Sequence, residues 1–306
     1  MMRRRRRWIL GTLLVVTLSA FAAFWFRPVE LFEKQTEMRL LLSGAESHTI
    51  ALPVYRARVH YYVLGPRTGP PVVLVHGLGG RAENWVRLAP YFARAGYRVY
   101  LPDLVGYGQS QKPPWFSYSI RDEEGAVVDF LDALGLKQVD LGGWSMGGWI
   151  VQWVAFEHPE RVRKLMLFDS AGLAFRPDWD TRLFTPTTAR ELAQLDDLLM
   201  PNPPSVPGFV ADDILRTSKQ NGWVIQKALA SMLTGRDATD ALLPALKMPV
   251  LIVWGALDRI TPLSEGEAMH RLIPDSQFNV IMGCGHLAPS MCAPQVGPGV
   301  AAFLGR

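Results

Sequence analysis

Hydrophobic positions along this chain follow three different rhythms. Near the N-terminus, Trp8 to Phe26 run for 19 residues without a charge. From His48 to Leu64, Val, Ile and Tyr partly alternate with polar residues, as expected of two antiparallel edge strands. After that, short and nearly wholly apolar runs take over. They are Val72-Val73-Leu74-Val75 behind Pro70-Pro71, Tyr97 to Leu101, Val139 to Leu141, Lys164 to Phe168, Met248 to Trp254 and Gln277 to Met282. Runs of this length bounded by turn residues suit strands buried on both faces. Helical spacing fills the gaps: about Asn84 to Arg94, then Ile120 to Leu134 with Val127, Val128, Leu131 and Leu134 on one face. It returns after Ser145 (Ile150, Val151, Val154, Ala155) and from Pro294 to Leu304. Strands alternating with helices at this spacing predict an α/β fold with a mostly parallel eight-stranded sheet covered by helices on both faces.

One excursion breaks the alternation. About Gly172 to Lys247 carries Pro177, Pro186, Pro201, Pro203, Pro204 and Pro207, with helical pieces around Ala189 to Leu199 and Gly222 to Leu233. An insertion here, at a strand's C-terminal end, would cover the place where such sheets bind ligands, so it reads as a cap or lid. A separate domain fits less well, because the segment is short and returns directly to the sheet. The expected organisation is therefore a basic N-terminus with an apolar segment over residues 1–27, a connector over 28–47 and one capped domain over 48–306. Glu30 to Glu46, which mixes charges with Leu40-Leu41-Leu42, belongs to that connector. The chain's 306 residues, 49% hydrophobic, suffice for one large core.

Charge changes the picture at the N-terminus only. The formal net charge is +4, but without Arg3 to Arg7 the remaining 27 basic residues face 28 acidic ones. That balance offers no basic footprint for nucleic acid. Five arginines ahead of a 19-residue apolar run point to a membrane instead: at ~1.5 Å per residue the helix would be ~28 Å long, about one hydrocarbon core. Phe24-Trp25-Phe26 would sit at the interface, before Arg27 and Pro28. By the positive-inside rule the N-terminus stays cytoplasmic and the body lies on the far side. Cleavage after Ala20-Phe21-Ala22 is the competing expectation and would secrete the body from Ala23 on; the arginines also loosely fit a twin-arginine export signal. Two cysteines, Cys284 and Cys292, could pair on an oxidising side or be small buried apolar residues. No spacing suggests a metal site.

The chemistry converges on Gly143-Trp144-Ser145-Met146-Gly147. An apolar run before it and a helical one after it imply a strand that turns sharply into a helix, which lifts the Ser145 hydroxyl above the sheet edge. A serine hydroxyl needs a base, and the base needs a partner that fixes its tautomer. Of six histidines, His286 in Gly283-Cys284-Gly285-His286 follows the last strand at the same sheet edge. His76 immediately precedes Gly77-Leu78-Gly79, where backbone donors are wanted; His158 lies in a helix-ending turn; His48, His60 and His270 fall on an edge strand and a helix. For the acid, Asp258 in Gly255-Ala256-Leu257-Asp258 gives the order Ser, Asp, His, and Asp169 after the preceding strand is the competitor. The two donors for an oxyanion are expected from the amides of Leu78 and Met146.

Together, His76-Gly77, Asp103-x-x-Gly106-x-Gly108-x-Ser110, Gly143-x-Ser145-x-Gly147, Gly255-x-x-Asp258 and Gly285-His286 resemble the α/β-hydrolase superfamily from roughly His48 to the C-terminus. With the N-terminal apolar segment and the cap, the chain is similar to membrane-anchored monoacylglycerol-lipase-like serine esterases. That resemblance implies cofactor-free hydrolysis of carboxylic esters of lipid-like substrates. Relatives with the same motifs cleave carbon–carbon bonds of dienones, and a non-catalytic binding module on the same fold is the third alternative. The serine at the elbow speaks against haloalkane and epoxide chemistry, where Asp stands. Phe175, Trp179, Phe184, Met200 and Phe209 are candidate acyl contacts and equally candidate cap core.

Overall fold

The structure, a computed structural model, describes residues 24–174 and 177–305. Eight strands form one sheet: β1 (Glu46–Leu52), β2 (Ala57–Leu64), β3 (Pro71–Val75), β4 (Arg98–Pro102), β5 (Val139–Trp144), β6 (Val162–Phe168), β7 (Val250–Gly255) and β8 (Gln277–Ile281). Their spatial order is β1-β2-β4-β3-β5-β6-β7-β8. β1 pairs antiparallel with β2 and β2 antiparallel with β4; every later pairing is parallel. The apolar runs are explained by this topology, since β5 and β7 are buried at every position. Asp140 is the polar exception inside β5, and a bidentate pair with Arg163 at 2.8 and 2.7 Å satisfies it. Chain order reverses direction at β3, which has β4 on one side and β5 on the other, so a crevice opens above its C-terminal end.

Apolar side chains fill both faces of the sheet. One face packs Leu141, Ile150, Val154 and Leu165 under α3 (Ile120–Ala133) and α4 (Met146–Glu157). The other packs Trp85, Phe92, Trp144 and Phe168 under α2 (Ala89–Arg94) and α9 (Ala293–Leu304). Burying a side chain of the Leu or Phe class contributes roughly 1.5–3 kcal/mol. The edge-to-face contacts of Trp85 with Trp144 and Phe168 add to that directly beneath the elbow.

Several boundaries differ from the expectation, each for a local reason. The helix expected over Asn84 to Arg94 is a 3₁₀ turn (Ala82–Trp85) followed by α2, because Pro90 lacks the amide a continuous helix would need there and suits a helix start instead. The connector is a helix, α1 (Pro28–Leu42), with Pro at its start, Glu30 in its first turn and Arg39 in its last. In the cap, α5 (Ala189–Leu199) begins at the Thr188–Glu191 capping box. The second cap helix, α6, runs over Gly208–Met232, 25 residues instead of the dozen expected from Gly222 on. Gly222 does not start it: it lies mid-helix, buried, where a Cβ would press on the Thr185 methyl at 3.2 Å. A helix α7 (Leu263–Leu272) between β7 and β8 and a short α8 (Ala288–Met291) complete the fold.

The expected membrane segment, Trp8 to Phe26, lies outside the described residues up to residue 23. Among the described residues no helix is long and apolar enough to cross a membrane. α1 packs on the cap: the Val29 amide donates to Asp213 at 3.0 Å, and Trp25 stacks on Phe209 with ring centroids 4.9 Å apart.

Candidate active site

β5 ends at Trp144 and α4 begins at Met146, so one residue makes the whole turn. Ser145 does so at φ 55° and ψ −120°, a left-handed conformation that costs a non-glycine residue roughly 1–3 kcal/mol. Glycines permit it. A Cβ on Gly143 would fall 2.2 Å from the Gly147 carbonyl oxygen, and one on Gly147 would fall 2.4 Å from the carbonyl oxygens of Val75 and His76. Side chains at either position would push helix and strand apart and move the serine.

Two loops at the C-terminal ends of the strands converge on that serine. The loop after β8 brings His286 Nε2 to 2.8 Å from Ser145 Oγ, and the loop after β7 brings Asp258 Oδ2 to 2.8 Å from His286 Nδ1. His286 and Asp258 are buried, and the Trp144 indole N–H fixes the His286 carbonyl at 2.8 Å. Asp258 is held as an acceptor. Its Oδ1 accepts the amides of Ile260 at 2.8 Å and Thr261 at 3.0 Å, and its Oδ2 accepts the Thr261 hydroxyl at 2.8 Å. With those acceptors filled, Nδ1 of His286 carries the hydrogen and Nε2 is free to accept one from Ser145. Thr261 was given no part by sequence reasoning. The available signal was the Asp-x-x-Thr spacing, which favours an Asp side chain folded back on the amides that follow it.

Asp169, the competing acid, is not brought to His286. It follows β6 at φ 41°, and its Oδ1 accepts the Gly255 amide at 2.6 Å while Oδ2 has no partner of good geometry among the described residues. Burial first, and then the charge of nearby Asp258, push its carboxyl well above the ordinary range. It braces β7 through the Gly255 amide. His76 is turned inward and neutral: Nδ1–H donates to the Gly77 carbonyl at 2.8 Å and Nε2 accepts the Leu104 amide at 3.0 Å. Burial lowers its pKa. His60 pairs with buried Asp103 at 2.9 Å; Asp103 also accepts the amides of Ala82 and Gln109, pinning the loop behind Gly77 to the loop after β4. His48, His158 and His270 lie away from the serine, His270 against Ser276 and His158 beside Glu124.

The amides of Leu78 and Met146 donate to no group among the described residues. Met146 N–H is also the first of α4, at the positive end of the helix dipole.

Two chambers meet at Ser145. One, about 80 Å³, is apolar and lined by Trp149, Trp179, Phe184, Leu229, Met232 and Ile260. The other, about 420 Å³, runs past Gly77, Arg81, Lys112 and His286 to Thr217, Ser218 and Asn221 of α6 and to Glu33 of α1. Of the expected acyl contacts, Trp179 and Phe184 line the apolar chamber; Phe209 meets Trp25, Met200 lines neither chamber, and Phe175 lies outside the described residues.

Comparison with known proteins agrees on the fold. A family model described as the alpha/beta hydrolase fold matches residues 70–224 and 225–289. Lipase 1 of Psychrobacter immobilis is 30% identical over 233 residues, 73% of either chain. The 2-hydroxy-6-oxo-2,4-heptadienoate hydrolase of Pseudomonas putida is 32% identical over 244 residues, covering 71% of this chain and 83% of its own. Among solved structures, a membrane phospholipase A described as a bacterial virulence factor superposes with a TM-score of 0.82 at 26% identity, covering 98% of both chains.

Proposed function

The chain belongs to the α/β-hydrolase family and is a hydrolase by that membership, and from this premise we propose that it cleaves carboxylic esters of lipid-like substrates through an acyl-enzyme. The observation that carries the reading is the unbroken chain from Ser145 Oγ through His286 to Asp258, opening on an apolar chamber. In this reading Ser145 Oγ attacks the ester carbonyl carbon while its proton passes to His286 Nε2. Asp258 keeps the ring in the required tautomer and stabilises the imidazolium. The carbonyl oxygen, now an oxyanion, accepts the amides of Leu78 and Met146. The imidazolium returns the proton to the departing alcohol, and a water activated by the same histidine then frees the acid and restores Ser145. Each oxyanion donor is worth roughly 10²–10³ in rate.

We further propose that Trp8 to Phe26 anchors the chain, with the body on the far, oxidising side of the membrane. The disulfide Cys284–Cys292 supports that compartment, and the likeness to a membrane phospholipase A over 98% of both chains supports a lipid surface. The second reading, carbon–carbon hydrolysis, is favoured by the 32% identity to the heptadienoate hydrolase. A panel of p-nitrophenyl esters and glycerides of graded chain length, run beside a 2-hydroxy-6-oxo-dienoate, separates the two. Turnover of the dienoate alone would overturn the ester reading.

A further inference from the structure

The wider chamber holds a cation without a counter-ion. Lys112 Nζ donates to the Gly108 carbonyl at 2.9 Å and forms no ion pair among the described residues. The acids around it are engaged elsewhere. Glu33 takes the guanidinium of Arg81, the chamber's other cation, and Glu83 lies 3.6 Å from Arg81 Nε. The Asp103 carboxylate is filled by His60 and by the amides of Ala82 and Gln109. Burial holds the Lys112 ammonium below the ordinary lysine range, so a compact anion beside it would be welcome. Across the chamber, Thr217, Ser218 and Asn221 give α6 a hydroxyl- and amide-bearing wall.

These features line the wider chamber, which meets the apolar chamber at Ser145. An ester spanning the serine places its acyl chain in the apolar chamber and its alcohol portion in the wider one. We propose that this alcohol portion carries a phosphate, and that Lys112 is the specificity residue that holds it, making the enzyme selective for glycerophospholipid-type esters over neutral glycerides. The proposal rests on the ester-hydrolase reading. A dienoate's carboxylate would satisfy Lys112 equally, which is why the test below includes a dienoate. A lysine suits a phosphate as a point charge, and charge-assisted hydrogen bonds of this kind are roughly twice as strong as neutral ones.

The test uses the full chain in non-ionic detergent micelles with two substrates of one acyl chain, 1-oleoylglycerol and 1-oleoylglycerol 3-phosphate. Within one preparation, the ratio of their kcat/KM values cancels differences in folded enzyme. The wild type should favour the phosphate ester, Lys112→Gln should lower that ratio about tenfold, and Lys112→Arg should keep it within about threefold. A ratio unmoved in Lys112→Gln, or a wild type that prefers the neutral glyceride, overturns the proposal. If p-nitrophenyl butyrate is hydrolysed and the phosphate ester is not, the headgroup assignment fails while the ester reading stands. If no ester is hydrolysed and a dienoate is, both fall.

Discussion

The edge of the sheet and the cap above it solve different problems with different chemistry. At the edge, Ser145, His286 and Asp258 come from three separate loops, yet each is fixed by short hydrogen bonds to backbone or buried side chains. In the cap, α5 and α6 present side chains to two chambers, and what holds them is mostly apolar contact, with the Thr188–Glu191 capping box at the start of α5. Directional bonds permit one arrangement; apolar packing tolerates exchange among residues of similar volume. The edge is therefore built for one reaction mechanism and the cap for a choice of substrate. Changes at the edge should abolish turnover, whereas changes in the cap should redirect it.

The largest effect is expected at the elbow. Ser145→Ala should lower ester turnover by at least about 10⁴-fold and abolish labelling by a fluorophosphonate probe, because removal of a catalytic nucleophile leaves only binding and oxyanion stabilisation. Undiminished labelling would remove the serine from the mechanism and with it the edge side of the contrast.

The paired acids test the edge more finely. Asp258→Asn should lower kcat by roughly 10³–10⁴-fold, since an amide at that place favours the wrong tautomer of His286. Asp169→Asn should cost less than about tenfold, because the Gly255 amide still finds an oxygen. Its signature is in stability instead. Asp169 has a folded pKa raised above its unfolded value, so its contribution is complete below the unfolded carboxylate range and is lost as pH rises toward the folded value. Asn does not titrate, so thermal melts of Asp169→Asn should decline less between pH 4 and pH 8 than those of the wild type. Equal slopes would mean that Asp169 is ionised in the fold.

Sequence reasoning saw these two regions unequally, for a physical reason. Buried strands have to be continuously apolar, and a strained elbow has to be flanked by small residues, so β5, Ser145 and the strand order behind His286 and Asp258 are written locally. What depends on distant partners was not: Thr261 matters through a bond to Asp258, and α1 and the first half of α6 are specified by packing on each other. The choice between Asp258 and Asp169 rested on chain order, while the geometry distinguishes them by where each carboxylate's oxygens point. Lys112 carried no sequence signal, since its isolation arises only from Glu33 and Asp103 being occupied elsewhere.

On the cap side, Trp179→Ala and Phe184→Ala should move substrate preference and leave the chemistry in place. Each removes apolar lining from the chamber beside Ser145, and filling or emptying such a pocket is worth roughly 1–3 kcal/mol. The ratio of kcat/KM for a p-nitrophenyl dodecanoate over the butyrate should fall about tenfold, mainly through KM, with the butyrate rate changed little. A common fall in kcat for both esters would place these rings in the catalytic edge and blur the division proposed here.

The smallest effect on catalysis is expected where the edge itself is stapled. Cys284 and Cys292 close a loop that contains His286, so reduction ought to loosen the base if the staple were what positions it. Three other restraints already act on that residue: the Trp144 indole on its carbonyl, Asp258 on Nδ1 and Ser145 on Nε2. Each persists in the reduced chain. The staple's main contribution should then be to stability, about 2.5 kcal/mol from the entropy of closing so short a loop. Cys284→Ser/Cys292→Ser, or the wild type in excess reductant, should melt about 4 °C lower. Below that melting point it should keep kcat on a short ester within about threefold. Should kcat collapse while the melting temperature holds, the disulfide and not the hydrogen bonds would be what sets the histidine, and the edge would share the cap's dependence on its surroundings.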